Sequence, residues 1–325
     1  MLRLKNKKTW LITGVAGFIG SHLLEALLKA DQKVIGLDNF LTGKKSSLDE
    51  TIPHEKIKNF TFIEGDIRDD KVCCEVTKGI DYVLHQAAIG SVPQSILDPH
   101  TVNEVNAVGF LNILRASQKN NVSRFIYASS SAVYGDSSEQ PNREDRIGNL
   151  LSPYAVSKRT NELYGQVFYQ CYGMPTLGLR YFNIFGPRQD PKGTYAAVIP
   201  LWINSLLHGE PCYINGDGFH SRDFCYIDNV VEANIRAALS PNPHAYGEVF
   251  NIGLGKGTTL LELYTFIKTH LAIGNEKGPL YRDNRRGDIK HSVADIDKAK
   301  HLLGYNPSCS LEKGLKITME WFKKN

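Results

Sequence analysis

The first half of the chain alternates short apolar runs with longer segments in which apolar residues recur at helical spacing. Runs that are apolar throughout are typical of strands buried on both faces of a sheet, and helices connect such parallel strands. The pattern therefore predicts an α/β fold with a doubly wound parallel sheet between two layers of helices. The predicted strands are 10–13, 33–38, 59–66, 81–87 and 124–130, and the predicted helices are 18–30, 70–78, 101–119 and 153–172.

The second half is less regular, and we expect it to form a smaller α/β domain. The predicted boundary lies near Arg180, with residues 1–180 in the first domain and 181–325 in the second. We expect the chain to cross back into the first domain near 224–253. The predicted elements are strands in 175–187 and 248–253, a strand–helix pair over 223–239, and helices over 196–209, 294–303 and 311–322.

Composition and charge narrow the class of protein. With 42% hydrophobic and 22% charged residues among 325, the chain is typical of soluble globular proteins. Its net charge of +4 is spread over 38 basic and 34 acidic residues, which argues against a nucleic-acid surface. No apolar run approaches the roughly 20 residues of a membrane span. The six cysteines lack zinc-ligand spacing, so we expect no metal and a cytoplasmic location with reduced thiols.

Three glycines, Gly14, Gly17 and Gly20, follow the first predicted strand and open the first predicted helix. In a Rossmann fold, glycines here let the backbone approach a pyrophosphate, which binds the free N–H groups of the helix N-terminus. Asp38 ends the next strand, where a carboxylate accepts hydrogen bonds from the adenosine ribose and repels a 2′-phosphate. The pattern therefore predicts NAD binding. A structural turn in another α/β fold is the alternative.

A tyrosine and a lysine, Tyr154 and Lys158, stand four residues apart after Ser152-Pro153. Ser-Pro is a good helix start, so the two side chains are neighbours on one helical face. A chance pair on an amphipathic helix is one interpretation. The other is a phenol whose proton is easy to remove, because a nearby ammonium favours the phenolate.

The glycine turn, the serine run 129–131 and the Tyr154/Lys158 pair together resemble the extended short-chain dehydrogenase/reductase family. Within that family the chain resembles the nucleotide-sugar 4-epimerases, in particular the bacterial enzymes acting on UDP-N-acetylglucosamine. The resemblance covers nearly the whole chain. It is carried by LDNF (37–40), QAA (86–88), SSSAVYGD (129–136), SPYAVSK (152–158), LRYFNIFGPRQ (179–189), SRDFCYIDN (221–229) and RRGD (285–288).

The resemblance implies NAD-dependent 4-epimerisation of a UDP-sugar, with Ser130, Tyr154 and Lys158 as catalytic residues. Tyr154 would take the proton of the sugar 4-hydroxyl, Ser130 would hydrogen-bond that oxygen, and Lys158 would bind the nicotinamide ribose. Hydride would pass to NAD⁺ and back through a transient 4-keto sugar. The residues expected at the cofactor are Gly14, Gly17, Phe18, Ile19, Gly20, Asp38, Asn39, Gly43, Asp66, Ile67, Gln86, Ala87, Ala88, Tyr154, Lys158 and Tyr181.

The resemblance assigns the second domain to the UDP-sugar. Arg222 and Arg285 match arginines that clamp the diphosphate, which suits bidentate guanidinium bonding; surface ion pairs are the alternative. Tyr213 matches a strand that faces uracil, and Trp202 is expected to shield the nucleotide, although core packing remains open for both. The residues expected at the substrate are Gly90, Ser91, Val92, Ser130, Ser131, Tyr154, Asn183, Ala197, Val198, Trp202, Tyr213, Asn215, Arg222, Arg285, Asp288 and Ser292.

The preferred sugar depends on position 292. In the family, a large aromatic side chain here restricts the enzyme to unsubstituted hexoses, whereas Ser292 leaves room for an N-acetyl group. A missing clash permits that substrate without requiring it. Gln94 and Ala132 depart from the usual arginine and serine of the close relatives, so UDP-glucose and UDP-uronic acids (UDP-GlcA, UDP-GlcNAcA) stay open as alternatives.

The pair Ser131-Ala132 bears on the type of reaction. The 4,6-dehydratases of the family carry Asp-Glu here, and its decarboxylases commonly carry glutamate, so the absence of a carboxylate argues against both. A non-catalytic NAD-binding module is the alternative from another class. By family analogy we expect a homodimer through helices 101–119 and 153–172 and a role in polysaccharide synthesis.

The locations of two further polar residues, Asp66 and His85, can be predicted from their positions next to predicted strands. Asp66 is expected to reach the adenine or to be a strand-end turn residue. His85 is expected to pack at a strand end rather than act in catalysis.

Overall fold

The computed structural model describes residues 4, 6–52, 54–192, 196–271, 278–283 and 289–325. Its strands are β1 Thr9–Thr13, β2 Lys33–Asp38, β3 Phe60–Glu64, β4 Tyr82–His85, β5 Arg124–Ser130, β6 Thr176–Tyr181, β7 Ile184–Phe185, β8 Tyr213–Asn215, β9 Ser221–Arg222, β10 Cys225–Tyr226, β11 Glu248–Ile252, β12 Thr258–Thr259, β13 Leu280–Arg282 and β14 His291–Ser292. Its α-helices are α1 Phe18–Lys29, α2 Lys45–Asp49, α3 Asp70–Val76, α4 Val92–Leu97, α5 Pro99–Asn103, α6 Phe110–Lys119, α7 Pro153–Tyr172, α8 Val198–Leu207, α9 Ile227–Leu239, α10 Leu260–Leu271, α11 Asp297–Leu303 and α12 Leu311–Phe322.

The central sheet is parallel throughout and, within the described residues, has seven strands in the order β11-β6-β5-β4-β1-β2-β3. Alternate side chains of β1 enter different apolar clusters, Trp10 and Ile12 on one side and Leu11 on the other. A strand buried on both faces needs apolar residues at successive positions, which is the pattern that its sequence shows. The predicted α/β fold with a doubly wound parallel sheet is confirmed.

The two layers of helices cover opposite faces of this sheet. Residues of α1 and α9 belong to the first apolar cluster, and residues of α3 and α6 belong to the second. The strand β11, far along the chain, pairs with β6 and completes one edge of the sheet. None of the helices within the described ranges combines the length and hydropathy that crossing a lipid bilayer requires.

The predicted helix 101–119 is interrupted by a π-helical turn at Glu104–Gly109. Asn106 in this turn accepts a hydrogen bond from the Ile89 N–H (2.8 Å), and its side-chain amide donates to the Ile89 carbonyl (3.0 Å) and to the Ser157 hydroxyl (3.2 Å). Such turns commonly occur near functional sites. Here the turn joins the loop after β4 to α7.

Helix α7 lies against β5 and β6 with a buried tyrosine between them. A Cβ atom added to Gly165 of α7 or to Gly178 of β6 would come within 2.6 Å of the Tyr127 hydroxyl oxygen. Tyr127 belongs to β5 and is fully buried. The two glycines therefore permit the close approach of helix and sheet at this point.

The remaining elements form small sheets and a helical layer. The strands pair as β12-β9-β14, β13-β8 and β10-β7, and α8, α10 and α12 pack together. Helix α10 is not among the predicted elements, although Thr259 and Glu262 form a capping box at its start, with the Thr259 N–H donating to the Glu262 carboxylate at 2.8 Å. That motif was the available signal.

Candidate active site

The glycine turn holds the start of α1 directly against β1. Gly14 has a φ of +70°, and a Cβ there would lie 2.7 Å from the Ala87 nitrogen. A Cβ on Gly20 would overlap the carbonyl oxygen of Gly14. Gly17 is the N-cap and offers no side-chain cap to the first N–H groups of α1. The backbone is therefore open to an anion at the end of this helix.

Asp38 lies at the end of β2 and is largely buried. Its carboxylate accepts hydrogen bonds from the N–H groups of Ala16 (2.9 Å) and Phe40 (2.8 Å). Burial raises the pKa of this carboxyl above its usual value. Each oxygen can accept a further hydrogen bond, so the group can still bind a ribose hydroxyl.

A cavity of about 480 Å³ lies at the carboxyl ends of the parallel strands, where α/β folds bind their ligands. It contains every residue predicted at the cofactor except Gly43, whose added Cβ would lie 2.9 Å from Ala16 in the adjoining turn. The predicted residues that line it are Gly14, Gly17, Phe18, Ile19, Gly20, Asp38, Asn39, Asp66, Ile67, Gln86, Ala87, Ala88, Tyr154, Lys158 and Tyr181.

Asp66 lies in this cavity with its carboxylate already engaged. Asn39 donates a hydrogen bond to it (2.8 Å), and the guanidinium group of Arg68 lies 2.7 Å from the same oxygen. The Arg68 hydrogen bond lowers the pKa of Asp66 to about 2. Asp66 lines the cavity and also lies in the turn after β3. Its position is therefore compatible with a contact to the adenine and with a structural role in the turn.

The sequence prediction did not include several residues of this cavity. Gln189, in the turn after β7, has a buried side-chain oxygen with no hydrogen-bond partner among the described residues. The GPRQ motif was the signal that could have identified it. The other unpredicted lining residues are Leu37, Leu41, Thr42, Gly65, Ile89, Val105, Ala128, Ser129, Phe182 and Ile184.

The turn that carries Gln189 is fastened to α1. Arg188, at a φ of +63°, donates hydrogen bonds to His22 Nδ1 (2.6 Å) and to Glu25 (2.8 Å). Burial, followed by the charge of Arg188, lowers the pKa of His22 to about 4. The glycine cradle, the Asp38 carboxylate and the unpartnered Gln189 oxygen together fit a dinucleotide.

Ser130, Tyr154 and Lys158 meet at the inner part of the cavity. The Ser130 hydroxyl accepts a hydrogen bond from the Ala132 N–H (3.1 Å) and lies close enough to the Tyr154 phenol to lower the pKa of that phenol. The Lys158 ammonium lies 5.9 Å from the centre of the Tyr154 ring and donates to the Ala128 carbonyl at 2.9 Å. The structure therefore brings the three predicted catalytic residues together.

The ionisation of these groups differs from the expectation of an acidified phenol. Burial raises the pKa of Tyr154, and the hydrogen bond from Ser130 opposes that rise only in part. Burial also lowers the pKa of Lys158 to about 8. The ammonium faces the Ala128 carbonyl, so the residues of the chain alone leave the phenol protonated at neutral pH.

His85 packs at the end of β4, as expected. Its Nδ1 atom lies 2.8 Å from the Thr13 hydroxyl, and its ring stacks on Phe125. Burial lowers its pKa to about 3, so the imidazole is neutral.

Part of the predicted substrate set shares the same cavity. The members that line it are Gly90, Ser130, Ser131, Tyr154 and Asn183. Ser91 caps helix α4, where its hydroxyl accepts a hydrogen bond from the Gln94 N–H at 3.1 Å, and Val92 is the first residue of that helix.

The other predicted substrate residues lie outside this cavity or outside the described residues. Trp202 packs in the core, where its side chain is fully buried and its ring lies edge-on against Tyr264. Tyr213 is half exposed, with the Arg282 guanidinium 3.3 Å from its ring centre. Ala197 and Val198 are at the start of α8, Asn215 ends β8, and Arg285 and Asp288 lie outside the described residues.

Arg222 and Ser292 are paired in register on the neighbouring strands β9 and β14. The next residue, Asp223, is fully buried and accepts hydrogen bonds from the N–H groups of Leu254 (2.7 Å) and Gly255 (2.9 Å). Burial raises the pKa of Asp223 to about 6. This carboxylate thus joins the strand of Arg222 to the loop that follows β11.

Comparison with known proteins gives a consistent result. The model of the NAD dependent epimerase/dehydratase family matches residues 10–253. A solved UDP-N-acetylglucosamine 4-epimerase from Methanobrevibacter ruminantium, in complex with UDP-N-acetylmuramic acid, is 40% identical with a TM-score of 0.91, covering 98% of this chain and 99% of that one. A UDP-glucose 4-epimerase from Thermotoga maritima, with UDP-glucose, is 38% identical with a TM-score of 0.89, covering 97% and 99%. A UDP-glucuronate 4-epimerase from Thermodesulfobacterium geofontis is 34% identical, covering 97% of this chain and 96% of the relative.

Proposed function

This chain belongs to the NAD dependent epimerase/dehydratase family and is one of its UDP-sugar 4-epimerases, and we propose that it interconverts UDP-N-acetylglucosamine and UDP-N-acetylgalactosamine. The observation that carries this choice of sugar is the small side chain at Ser292, beside Arg222. A serine leaves space for a 2-acetamido group that a large aromatic side chain would fill.

The residues that would hold NAD are those of the glycine turn, with Asp38 at the adenosine ribose and Gln189 at the cavity wall. When bound, NAD⁺ supplies the acceptor for hydride from the sugar C4 and a positive ring that favours the Tyr154 phenolate. The backbone N–H groups at the start of α1 would neutralise the pyrophosphate.

Tyr154 is the proposed general base and general acid. Its phenolate removes the proton from the sugar 4-hydroxyl, and the resulting phenol returns that proton to the same oxygen after the sugar has presented its other face. Ser130 hydrogen-bonds the 4-oxygen and the phenol, so it aligns the two oxygens. Lys158 places a positive charge near the ring and would bind the nicotinamide ribose.

The segment after β5 favours epimerisation over elimination. Ser131 lines the cavity and Ala132 follows it, so neither position offers a carboxylate to remove a proton from a second sugar carbon or to protonate a departing hydroxyl group. Reactions that expel water need such a second acid and base. Without a carboxylate at these two positions, return of the hydride to the 4-keto sugar is the outcome that the site favours.

The test is turnover of UDP-N-acetylglucosamine, UDP-glucose, UDP-GlcA and UDP-GlcNAcA by the purified protein, with product identified by NMR. We expect 4-epimerisation with the highest kcat/KM on UDP-N-acetylglucosamine. No turnover of that sugar would refute the substrate choice, and turnover of only the plain hexose or the uronic acids would select the alternative. Family analogy alone suggests a cytoplasmic enzyme supplying polysaccharide synthesis.

We also propose a homodimer through the outer face of α7. Val156, Leu163 and Val167 share one side of this helix and have exposed fractions of 49%, 47% and 45%. Val108, in the π-helical turn before α6, is exposed as well. An apolar stripe of this length is typical of an interface. Sedimentation should give a dimer that Leu163→Glu dissociates and Ile317→Glu, on the exposed side of α12, leaves intact.

A further inference from the structure

A buried ion pair joins the helix of Tyr154 to the central sheet. Glu162 of α7 and Arg180 of β6 have side-chain exposed fractions of 1% and 0%. The guanidinium group makes two parallel hydrogen bonds, from Nε to Oε1 (2.8 Å) and from Nη2 to Oε2 (2.9 Å). Such a fork fixes the relative orientation of its two partners as well as their distance.

The same ion pair holds both ends of the segment that carries the cavity serines. At one end, the Ser129 hydroxyl donates to Glu162 Oε1 at 2.6 Å. At the other end, Arg180 Nη1 donates to the Tyr134 hydroxyl at 3.0 Å. Ser130 lies between these two points and faces the cavity. Its position is therefore bounded on both sides by one pair of charges.

The helix side of the arrangement has a regular spacing. Tyr154, Lys158 and Glu162 follow one another at intervals of four residues, so they lie on one face of α7. Lys158 bonds the carbonyl of Ala128, and Glu162 bonds the side chain of Ser129. Tyr154 lines the same cavity as Ser130 and lies close to its hydroxyl, so the successive residues Ala128, Ser129 and Ser130 each face one side chain of this helical face.

Stability alone is a weak explanation for this ion pair. Two charges lose their hydration on burial, and apolar replacements for such pairs are often neutral or stabilising. The loss of hydration is better explained if the ion pair serves to fix the positions of neighbouring groups. On the basis of the proposed epimerisation, we propose that Glu162, oriented by Arg180, is a positioning residue that holds the Ser130 hydroxyl against the Tyr154 phenol through Ser129.

The experiment compares Glu162→Gln and Ser129→Ala with Arg159→Met. Arg159 bonds Glu162 Oε2 from the partly exposed side, at 2.8 Å, and contacts neither Ser129 nor Arg180 through a hydrogen bond in the described residues. Both test variants should lose about ten- to hundredfold in kcat, because small displacements at a reacting centre cost this much. KM for the UDP-sugar and the content of bound NAD should stay as in the wild type, and Arg159→Met should retain wild-type kcat.

Three further readouts separate positioning from a merely structural contribution. The acidic limb of the kcat–pH profile should move to higher pH in both test variants, since a weaker Ser130 bond leaves the phenol harder to ionise. Ser129→Thr, which keeps the hydroxyl, should restore most of the kcat. The double variant Glu162→Gln/Ser129→Ala should be no slower than the slower single variant, because both remove one coupled contact.

The outcomes are distinct. Wild-type kcat and an unmoved pH profile in Ser129→Ala would overturn the positioning proposal, whether or not Glu162→Gln folds. If Arg159→Met lost as much kcat as the two test variants, the proposal would also be overturned. The loss would then follow from any change of charge around Glu162 and not from the contact with Ser129. A wild-type protein that epimerises no UDP-sugar would instead refute the proposed function.

Discussion

The Lys158 ammonium donates a hydrogen bond to the main-chain carbonyl of Ala128, at the end of the strand that continues into Ser130. Both groups are buried, and no carboxylate among the described residues pairs with this lysine. The ammonium is therefore held by the strand that leads to Ser130, 5.9 Å from the centre of the Tyr154 ring.

Replacing Lys158 by methionine should lower kcat about a hundredfold or more, because the phenolate loses its nearby positive charge. Steady-state kinetics on the UDP-sugar that the wild type turns over measures this loss. Lys119→Met, at the exposed end of α6, is the matched control and should behave as the wild type. An undiminished kcat in Lys158→Met would show that the ammonium does not act on the phenol.

Replacing Tyr154 by phenylalanine should reduce kcat by about 10²- to 10⁴-fold, since it removes the phenol proposed as general base and general acid. The protein should still contain NAD, because the glycine turn and Asp38 are unchanged. Kinetics and the NAD content of denatured protein are the two measurements. A variant that epimerises at the wild-type rate would remove Tyr154 from the mechanism.

Replacing Gly20 by alanine should abolish NAD binding, because the added Cβ would overlap the Gly14 carbonyl and push α1 from the cradle. The NAD released from the denatured protein gives the result directly. Gly278→Ala serves as the control, since no atom of the described residues lies within 4 Å of a Cβ at that exposed glycine. Equal NAD contents in both variants would contradict the assignment of this turn to the pyrophosphate.

Protonation of His22 should make the folded protein less stable as the pH is lowered. Its pKa is about 4 in the folded protein, below the usual value of 6.5, so the unfolded chain binds the proton more tightly between these values. The free energy of unfolding should therefore fall as pH decreases from 6.5 to 4, by at most about 1.4 kcal/mol per pH unit. Denaturant titrations at several pH values measure the free energy of unfolding. Plotted against pH, this free energy should fall less steeply on acidification in His22→Gln than in the wild type. Equal slopes of the free energy of unfolding against pH in the two proteins would mean that folding does not lower the pKa of His22.

Replacing Ser292 by tyrosine should abolish turnover of the N-acetylated sugar and spare that of the plain hexose. The ring would occupy the space beside Arg222 that the proposed function reserves for the acetamido group. Competition between UDP-N-acetylglucosamine and UDP-glucose is the measurement. Persistent turnover of the acetylated sugar would exclude position 292 as the determinant.

The sequence predicted those features of the fold and the site that are determined by residues close together in the chain. The apolar runs of β1, β2 and β5 were recognisable because buried parallel strands need successive apolar residues. The glycine turn and the Tyr154/Lys158 spacing could be read directly because their geometry is set within a few positions, whereas most other cavity residues were implied by the family resemblance. The strand predicted at 59–66 was shorter, Phe60–Glu64, since sheet pairing and not composition decides where a strand ends.

Features that depend on distant partners could not be predicted. The two-residue strands β9, β12 and β14 exist only because segments near 222, 258 and 292 meet. Glu162 and Arg180 are charged residues that a sequence pattern assigns to the surface, and only the fold brings them together in the interior. The raised pKa of Tyr154 likewise follows from burial, which a spacing rule does not contain.

The contact of Tyr127 with Gly165 and Gly178 has an evolutionary consequence. The Tyr127 phenol determines the distance between α7 and the sheet. Both positions that face it are glycines, which leave room for its hydroxyl group. Variation at these three positions must then be concerted: a methyl group gained at either glycine demands a smaller ring substituent at 127. In related sequences, the three identities should change as a group or stay unchanged.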